Sequence, residues 1–218
     1  MNNFLGMDSP LMNFLNRAAD IVILNVLFIL CSIPVVTIGA SCTALYSITL
    51  KMVKGEEAYA TKGFFMAFKS NFKQSTLIWI FVMLLILLLG ADFYIIGYLP
   101  ASTAKILYIL LTGVSILCLM VVLYLFPYIA RFYNKTLACV KNALYISILN
   151  FPYTLLLLFL TLGLFFITFY NINTMGKSII VWLLGGFALY AFVTSFLFRY
   201  IFSKYEQNEE EDSLIESK

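Results

Sequence analysis

The sequence lacks histidine altogether, and only 11% of its 218 residues are charged. Without histidine there is no imidazole to act as a general base, a metal ligand or a pH switch near neutrality. The phosphate-binding GxxxxGK[ST], metal-binding HExxH and nucleophile GxSxG patterns are also absent. These absences predict a protein that is not an enzyme and that holds no cofactor and no metal.

The scarcity of charge also argues against a water-soluble domain, in which about a quarter of the residues are charged. Here 62% of the residues are hydrophobic, and the mean hydropathy is +0.96. Lipid must therefore be the main solvent. The four cysteines form no CxxC pair, so we expect reduced cysteines. No basic block interleaves with aromatic residues, so binding to nucleic acid is not expected.

The sequence contains several long apolar runs. A membrane-spanning helix needs about 20 mostly apolar residues. Four runs meet this as single helices: Ser75–Leu99, Lys105–Ala130, Pro152–Tyr170 and Ser178–Ile201. The sequence predicts an all-α integral membrane protein, a polytopic helical bundle of five or six transmembrane helices within residues 1–205. An acidic cytoplasmic tail, residues 206–218, follows it.

The opening apolar segment has two interpretations, because Pro34 interrupts it. Proline removes a backbone hydrogen bond and clashes with the preceding helical turn. Residues 20–50 form one kinked span in the first interpretation, and residues 11–33 and 38–53 form a helical hairpin in the second. Five spans follow from the first and six from the second. Arg17 favours the hairpin if it lies on the same side of the membrane as the other basic residues.

Positive charge predicts the orientation. The basic residues cluster in two loops, and loops rich in lysine and arginine face the cytoplasm. We therefore place both loops and the C-terminal tail in the cytoplasm. The clusters are Lys51, Lys54, Lys62, Lys69 and Lys73 in the first loop and Arg131, Lys135 and Lys141 in the second.

Both basic loops also contain an amphipathic helix, near residues 61–73 and 136–149. In the first, four phenylalanines share one face: Phe64, Phe65, Phe68 and Phe72. Lysines occupy the neighbouring arc, a pattern typical of a helix that lies in the membrane surface. A shift of 79 residues aligns Lys62 with Lys141 and Asn71 with Asn150. Two copies in the same orientation would form a parallel internal repeat.

Few polar residues interrupt the apolar runs, and these are the candidate functional residues. An ionisable group within a span, such as Asp92, is costly and is a functional hypothesis. Its position about two turns from Pro100 favours the alternative, a carboxylate that reaches the water of the lipid headgroups. A helix broken by proline frees backbone groups that bind substrates in secondary transporters. For the segment around Pro34 we favour the structural interpretation, in which the proline forms a turn and the small residues pack helices together. The candidates are Asp92, Asn25, Pro34, Thr37, Gly39, Asn71 and Asn150.

Several short motifs in the first half of the sequence occur together in a known family. The chain resembles the YesL-like family at Asn25, Ser32–Ala40, Ala44-Leu45-Tyr46, Gly55-Glu56-Glu57, Phe64-Phe65, Phe68 and Asn71-Phe72-Lys73-Gln74. Members of this family are bacterial membrane proteins, mostly from Firmicutes, that carry a domain of unknown function, DUF624. The resemblance covers nearly the whole chain and is strongest over residues 20–80. It implies a bacterial plasma membrane location and an accessory role in carbohydrate uptake, and it transfers no catalytic residue.

Three functional hypotheses follow. The first is a non-enzymatic accessory or regulatory component associated with carbohydrate ABC uptake. Its partners would be membrane lipids and either ABC sugar transporter subunits or a membrane sensor kinase. The alternative is a small-molecule transporter that uses the broken opening segment and Asp92. A membrane enzyme acting on lipid or glycan ranks third, because the apolar spans offer few residues able to act as a base.

Overall fold

The computed structural model describes residues 10–56 and 59–216, and within these ranges it contains helices and turns but no strand. The all-α membrane fold is therefore confirmed. The helices are α1 (Pro10–Ser32), α2 (Ile38–Lys54), α3 (Ala60–Ile96), α4 (Ala101–Arg131), α5 (Thr136–Leu149), α6 (Phe151–Phe169), α7 (Ile172–Val181) and α8 (Phe187–Glu216). A 3-10 turn (Val35–Thr37) joins α1 to α2, and a π-helical turn (Trp182–Gly186) joins α7 to α8.

Within residues 10–56 and 59–216, six helical segments are long and apolar enough to cross a membrane. The opening segment supplies two of them, because α1 and α2 form a hairpin. Leu24 of α1 and Ile48 of α2, at similar distances in sequence from the turn, belong to one buried cluster. A single kinked span would place these two side chains far apart. The kinked interpretation is therefore not the one that the chain adopts.

One end of the bundle gathers most of the basic residues. Arg199 of α8 donates to the carbonyl of Val53 at 2.5 Å, and Arg131 of α4 pairs with Glu206 of α8. The start of α1 lies here too, because Asp20 and Lys62 line the same hollow. We call this the basic end. It contains the α2–α3 loop, the α4–α5 loop and the last turns of α8 that cross the bundle.

Helix α2 is the central element, since most of its side chains are buried against α1, α3, α4 and α8. Two apolar clusters meet around it. One contains Leu24, Leu45 and Ile48, and the other contains Tyr124 and Phe198, both essentially inaccessible to solvent. Because α8 contributes to both clusters, the last helix joins the two halves of the bundle.

Helix α3 differs from its prediction. It runs without interruption from Ala60 to Ile96, so the amphipathic helix expected near residues 61–73 is its first third. Phe64 is fully buried, while Phe65 is about half exposed. Phe64 belongs to the buried cluster that contains Leu24 of α1 and Ile48 of α2. The phenylalanine face therefore packs partly against the bundle, and only part of it is left exposed.

Helix α5 coincides with the second predicted amphipathic helix, residues 136–149. Both of its ends lie at the basic end of the bundle. Asn134, just before the helix, donates to the Tyr128 hydroxyl at 2.8 Å, and Asn150, just after it, donates to the Tyr205 hydroxyl at 3.0 Å. The helix is too short to cross a bilayer. It therefore lies across the end of the bundle.

The last predicted span, residues 178–201, is not a single helix. It is divided by the π-helical turn at Trp182–Gly186. This turn contains no proline that would have indicated it in the sequence. Helix α8 then continues to Glu216. The predicted acidic tail is thus helical from residue 206 to Glu216, and Ser217 and Lys218 lie outside the described residues.

Candidate functional site

The interruption between α7 and α8 is stabilised by Asn25, one of the predicted candidate functional residues. Asn25 is completely buried. Its Nδ2 donates to the carbonyls of Trp182 and Leu183 at 3.0 and 2.9 Å, and its Oδ1 accepts from the Ala188 amide at 3.1 Å. Backbone groups left unpaired in hydrocarbon are costly. Asn25 therefore replaces the hydrogen bonds that the helix loses at this turn.

Aromatic packing surrounds the same turn. The rings of Trp182 and Phe187 lie 4.8 Å apart, and those of Phe28 and Phe187 lie 5.2 Å apart. The Trp182 indole N–H also donates to the Thr168 hydroxyl at 3.2 Å. The interrupted segment thus contacts α1 on one side and α6 on the other, and it joins the first and last helices.

The turn between α1 and α2 contains the candidates Pro34 and Thr37. The Thr37 hydroxyl lies 2.6 Å from the Cys31 carbonyl and 2.7 Å from the Pro34 carbonyl, and its amide also donates to Pro34. The Trp79 indole N–H donates to the Val35 carbonyl at 2.7 Å. Pro34 is itself exposed. This turn is stabilised mainly by its own residues.

Gly39, at the start of α2, is a contact point between helices. A Cβ at this position would lie 2.6 Å from the Ser75 carbonyl oxygen and 2.6 Å from the Trp79 Cβ. One turn further on, the Thr43 and Ser75 hydroxyls are hydrogen bonded at 2.9 Å. Small residues permit this kind of close approach in membranes. The Pro34–Gly39 run is thus a turn followed by a tight α2–α3 contact.

The two aligned asparagines, Asn71 and Asn150, have different surroundings. Asn71 lies inside α3 and donates to the Ala67 carbonyl one turn earlier. Asn150 stands between α5 and α6, is largely buried, and donates to the Ile146 carbonyl and the Tyr205 hydroxyl. The predicted repeat therefore does not bring equivalent groups to equivalent places.

Asp92 is exposed on the outer part of α3. It makes no hydrogen bond or ion pair with any residue that the structure describes. The Tyr98 and Tyr94 hydroxyls, which mark the nearby helix end, are 2.6 Å apart. Asp92 is not brought together with Asn25 or with the Pro34–Gly39 run, so the seven candidates form no single site.

The sequence analysis missed a set of buried or partly buried hydroxyl pairs that connect α2 to α8, α4 to α6 and α6 to α8. Each hydroxyl belongs to an apolar helix, and its partner lies on another helix far along the chain. No local pattern signals such a pair. The pairs are Tyr46 with Thr194 (3.1 Å), Thr49 with Ser195 (2.8 Å), Tyr124 with Thr154 (2.9 Å) and Thr161 with Tyr190 (2.7 Å).

A large apolar groove faces outward between α3 and α4 and is closed at the basic end by α5. Its volume is about 640 Å³. Leu77 and Phe81 form one wall, Leu117 and Cys118 the other, and Leu144 the floor. Among residues 10–56 and 59–216, no group of three Cys, Asp or Glu side chains is arranged to hold a metal ion. The apolar lining of the groove suits hydrocarbon.

Residues 21–93 match the model of a family described as a protein of unknown function, DUF624. No curated protein and no solved structure matches the chain. The matched range begins in α1, contains α2 and ends near the end of α3. It includes Asn25, Gly39 and Asp92, but not Asn150 or the α7–α8 turn. The resemblance to DUF624 is thus confirmed over these residues.

Proposed function

We propose, from the DUF624 match over residues 21–93 and the six apolar helices, that this integral membrane protein is a non-enzymatic accessory component of a transport complex. The supporting observation is how the buried polar groups are used. Asn25, Thr49, Tyr124 and Tyr190 all bond one helix to another. Polar groups that fasten helices together make a rigid scaffold. The outward surfaces are then left for recognition.

The α3–α4–α5 groove is the surface that we assign to a partner, a transmembrane helix of another membrane protein. Its walls include side chains as exposed as Phe81 (75%) and Leu117 (49%). In lipid, apolar burial gives little driving force, so helix association depends on close packing. A groove with an apolar lining and a closed end offers more packing contacts to a helix than a flat bundle face does.

The finer identity of the partner rests on the YesL-like resemblance. It points to ABC sugar transporter subunits or a membrane sensor kinase in a bacterial plasma membrane. The positive-inside rule places the basic end, with the C-terminal part of α8, in the cytoplasm. In that orientation the acidic residues that follow Glu206 lie where cytoplasmic domains of such partners would be found.

Site-specific photocrosslinking in native membranes tests this proposal. A photoreactive residue is placed at Leu117 in the groove, and a matched one at Phe159 on α6, which is exposed (78%) and does not line the groove. We expect adducts with a carbohydrate ABC permease or sensor kinase from position 117 and only lipid adducts from position 159. Lipid adducts alone from both positions, identified by mass spectrometry, would contradict the proposal.

The transporter alternative is favoured by one observation, the interrupted helix between α7 and α8. Interrupted helices bind substrates in secondary transporters. Here, however, two carbonyls of the turn already accept from Asn25. Uptake of radiolabelled sugars into liposomes containing the purified protein distinguishes the two functions. Saturable uptake that Asn25→Ala abolishes would replace the accessory function with transport.

A further inference from the structure

A second recess, at the basic end, has the opposite chemistry to the groove. It lies between the C-terminal ends of α2 and α4 and the middle of α8, and has a volume of about 130 Å³. Since one water molecule takes up about 30 Å³ of the liquid, it has room for a phosphate-sized group. Its polar lining consists of Lys51, Lys54, Arg131, Arg199, Ser203 and Glu206. We call it the basic cleft.

Positive charge exceeds negative charge in the basic cleft. Arg131 is paired with Glu206, and Lys54 is paired with Glu56 at 2.9 Å. Lys51 and Arg199 have no carboxylate partner among the residues that the structure describes. Arg199 uses one N–H to reach the Val53 carbonyl, and a guanidinium has five. Two cations on two helices thus remain available to an anion.

The basic residues of the cleft also act on a carboxylate beside it. Glu56, in the α2–α3 loop beside it, has a lowered pKa. The hydrogen bond from Lys54 is the main cause, and the positive charges of Lys54, Arg131 and Lys51 lower the pKa further. The cleft therefore favours the charged form of an acid next to it, as an anion-binding site does.

Residues of α8 that neighbour the cleft lining in sequence have the aromatic and basic character of a membrane interface. On α8, the ammonium of Lys204 lies 4.8 Å from the centre of the Tyr200 ring and 6.0 Å from that of Tyr153. Tyrosines and lysines placed this way mark the headgroup region of a bilayer. Basic pockets between transmembrane helices at this level bind anionic headgroups.

We infer that the basic cleft binds a phosphate group, with Lys51 and Arg199 as its principal ligands. The Ser203 hydroxyl adds a donor, and Glu206 competes with the anion for Arg131. The phosphate has two sources, the headgroup of an anionic phospholipid or a soluble phosphate compound. A bound phosphate would join α2 to α8, and it would weaken the hold of Arg131 on the start of the acidic segment.

Binding is measured with the full-length protein in two arms. In the first, the protein in nanodiscs of phosphatidylcholine is titrated with phosphatidylglycerol. In the second, inorganic phosphate is added in solution. At about 1 kcal/mol per basic residue, the double variant Lys51→Gln and Arg199→Gln should weaken binding by about 30-fold, and Lys51→Gln alone by about five-fold. The control Lys135→Gln removes the same charge at the same end, outside the cleft, and should change affinity less than two-fold.

A third variant separates ligand binding from a purely structural role. Glu206→Gln removes the competing carboxylate and should tighten binding by about five-fold, a gain that loss of folding cannot produce. If binding depends on Lys51 and Arg199 in either arm, the result supports the proposed site. The arm in which it does so identifies the source of the phosphate. Equal losses with Lys135→Gln and Lys51→Gln, or no binding of either probe, would overturn the proposal.

Discussion

Two interruptions of apolar helices, one between α1 and α2 and one between α7 and α8, are stabilised in different ways. At the first, Thr37 bonds to carbonyls within six residues of itself. At the second, Asn25 reaches across from a helix 157 residues away in sequence. A proline turn can thus satisfy its backbone locally, whereas a π-helical turn without proline depends on the tertiary fold.

The largest effect is expected from Gly39→Ala, at the α2–α3 contact that follows the first interruption. The new Cβ would lie 2.6 Å from the Ser75 carbonyl oxygen, so α2 and α3 must separate. Overpacking of this kind costs up to about 3 kcal/mol, measured as the free energy of unfolding in a detergent titration. The control Gly90→Ala, where no atom lies within 4 Å, should leave stability unchanged or slightly higher. Equal effects would mean that the α2–α3 contact is not tight.

The long-range interruption is tested by Asn25→Leu. This change leaves the Trp182 and Leu183 carbonyls and the Ala188 amide without their partner, which costs about 2 kcal/mol for three hydrogen bonds in a membrane. Hydrogen exchange should accelerate at residues 183–188 and not at the α1–α2 turn. The exposed Asn16 gives the control, Asn16→Leu, with little change expected. Faster exchange at both turns would show that the two interruptions are coupled.

A smaller effect is expected from Thr37→Val, because it affects only the local turn. The hydroxyl is lost, together with its contacts to the Cys31 and Pro34 carbonyls, at a cost of about 1 kcal/mol. Thr37→Ser keeps the hydroxyl and should restore the free energy of unfolding. If the serine variant is as unstable as the valine variant, the hydroxyl is not what stabilises this turn.

The smallest effect belongs to Thr168→Val, which removes the long hydrogen bond from Trp182. The expected cost is about 0.5 kcal/mol. A double-mutant cycle with Trp182→Phe isolates this contact from changes in ring packing. A coupling energy as large as the effect of Asn25→Leu would show that α6, rather than α1, supports the α7–α8 turn.

These two interruptions also show how much the sequence could predict. Pro34 marks the first one, since proline cannot continue a helix, and the hairpin was one of the two interpretations of that segment. The second has no such marker. Gly185 and Gly186 lie within a run that is apolar enough to be one span. Asn25 was predicted as a candidate, but its partners depend on the tertiary arrangement of α1 and α8.

The two segments that the predicted repeat aligns fold differently for a similarly specific reason. Asn71 is followed by Phe72 and Lys73, and Asn150 by Phe151 and Pro152. Proline near the start of α6 is compatible with a new helix but not with continuation of α5, so the second copy divides where α3 runs straight. Similar residues at equal spacing therefore gave one long helix in one place and two helices in the other.

The chain has two tryptophans, and each one bonds at one of the interruptions, Trp79 at the α1–α2 turn and Trp182 at the α7–α8 turn. Indole fluorescence of this protein therefore originates at these two positions. Trp79→Phe leaves emission from the α7–α8 turn, and Trp182→Phe leaves emission from the α1–α2 turn. The two single-tryptophan proteins would reveal which turn opens first, without any added label.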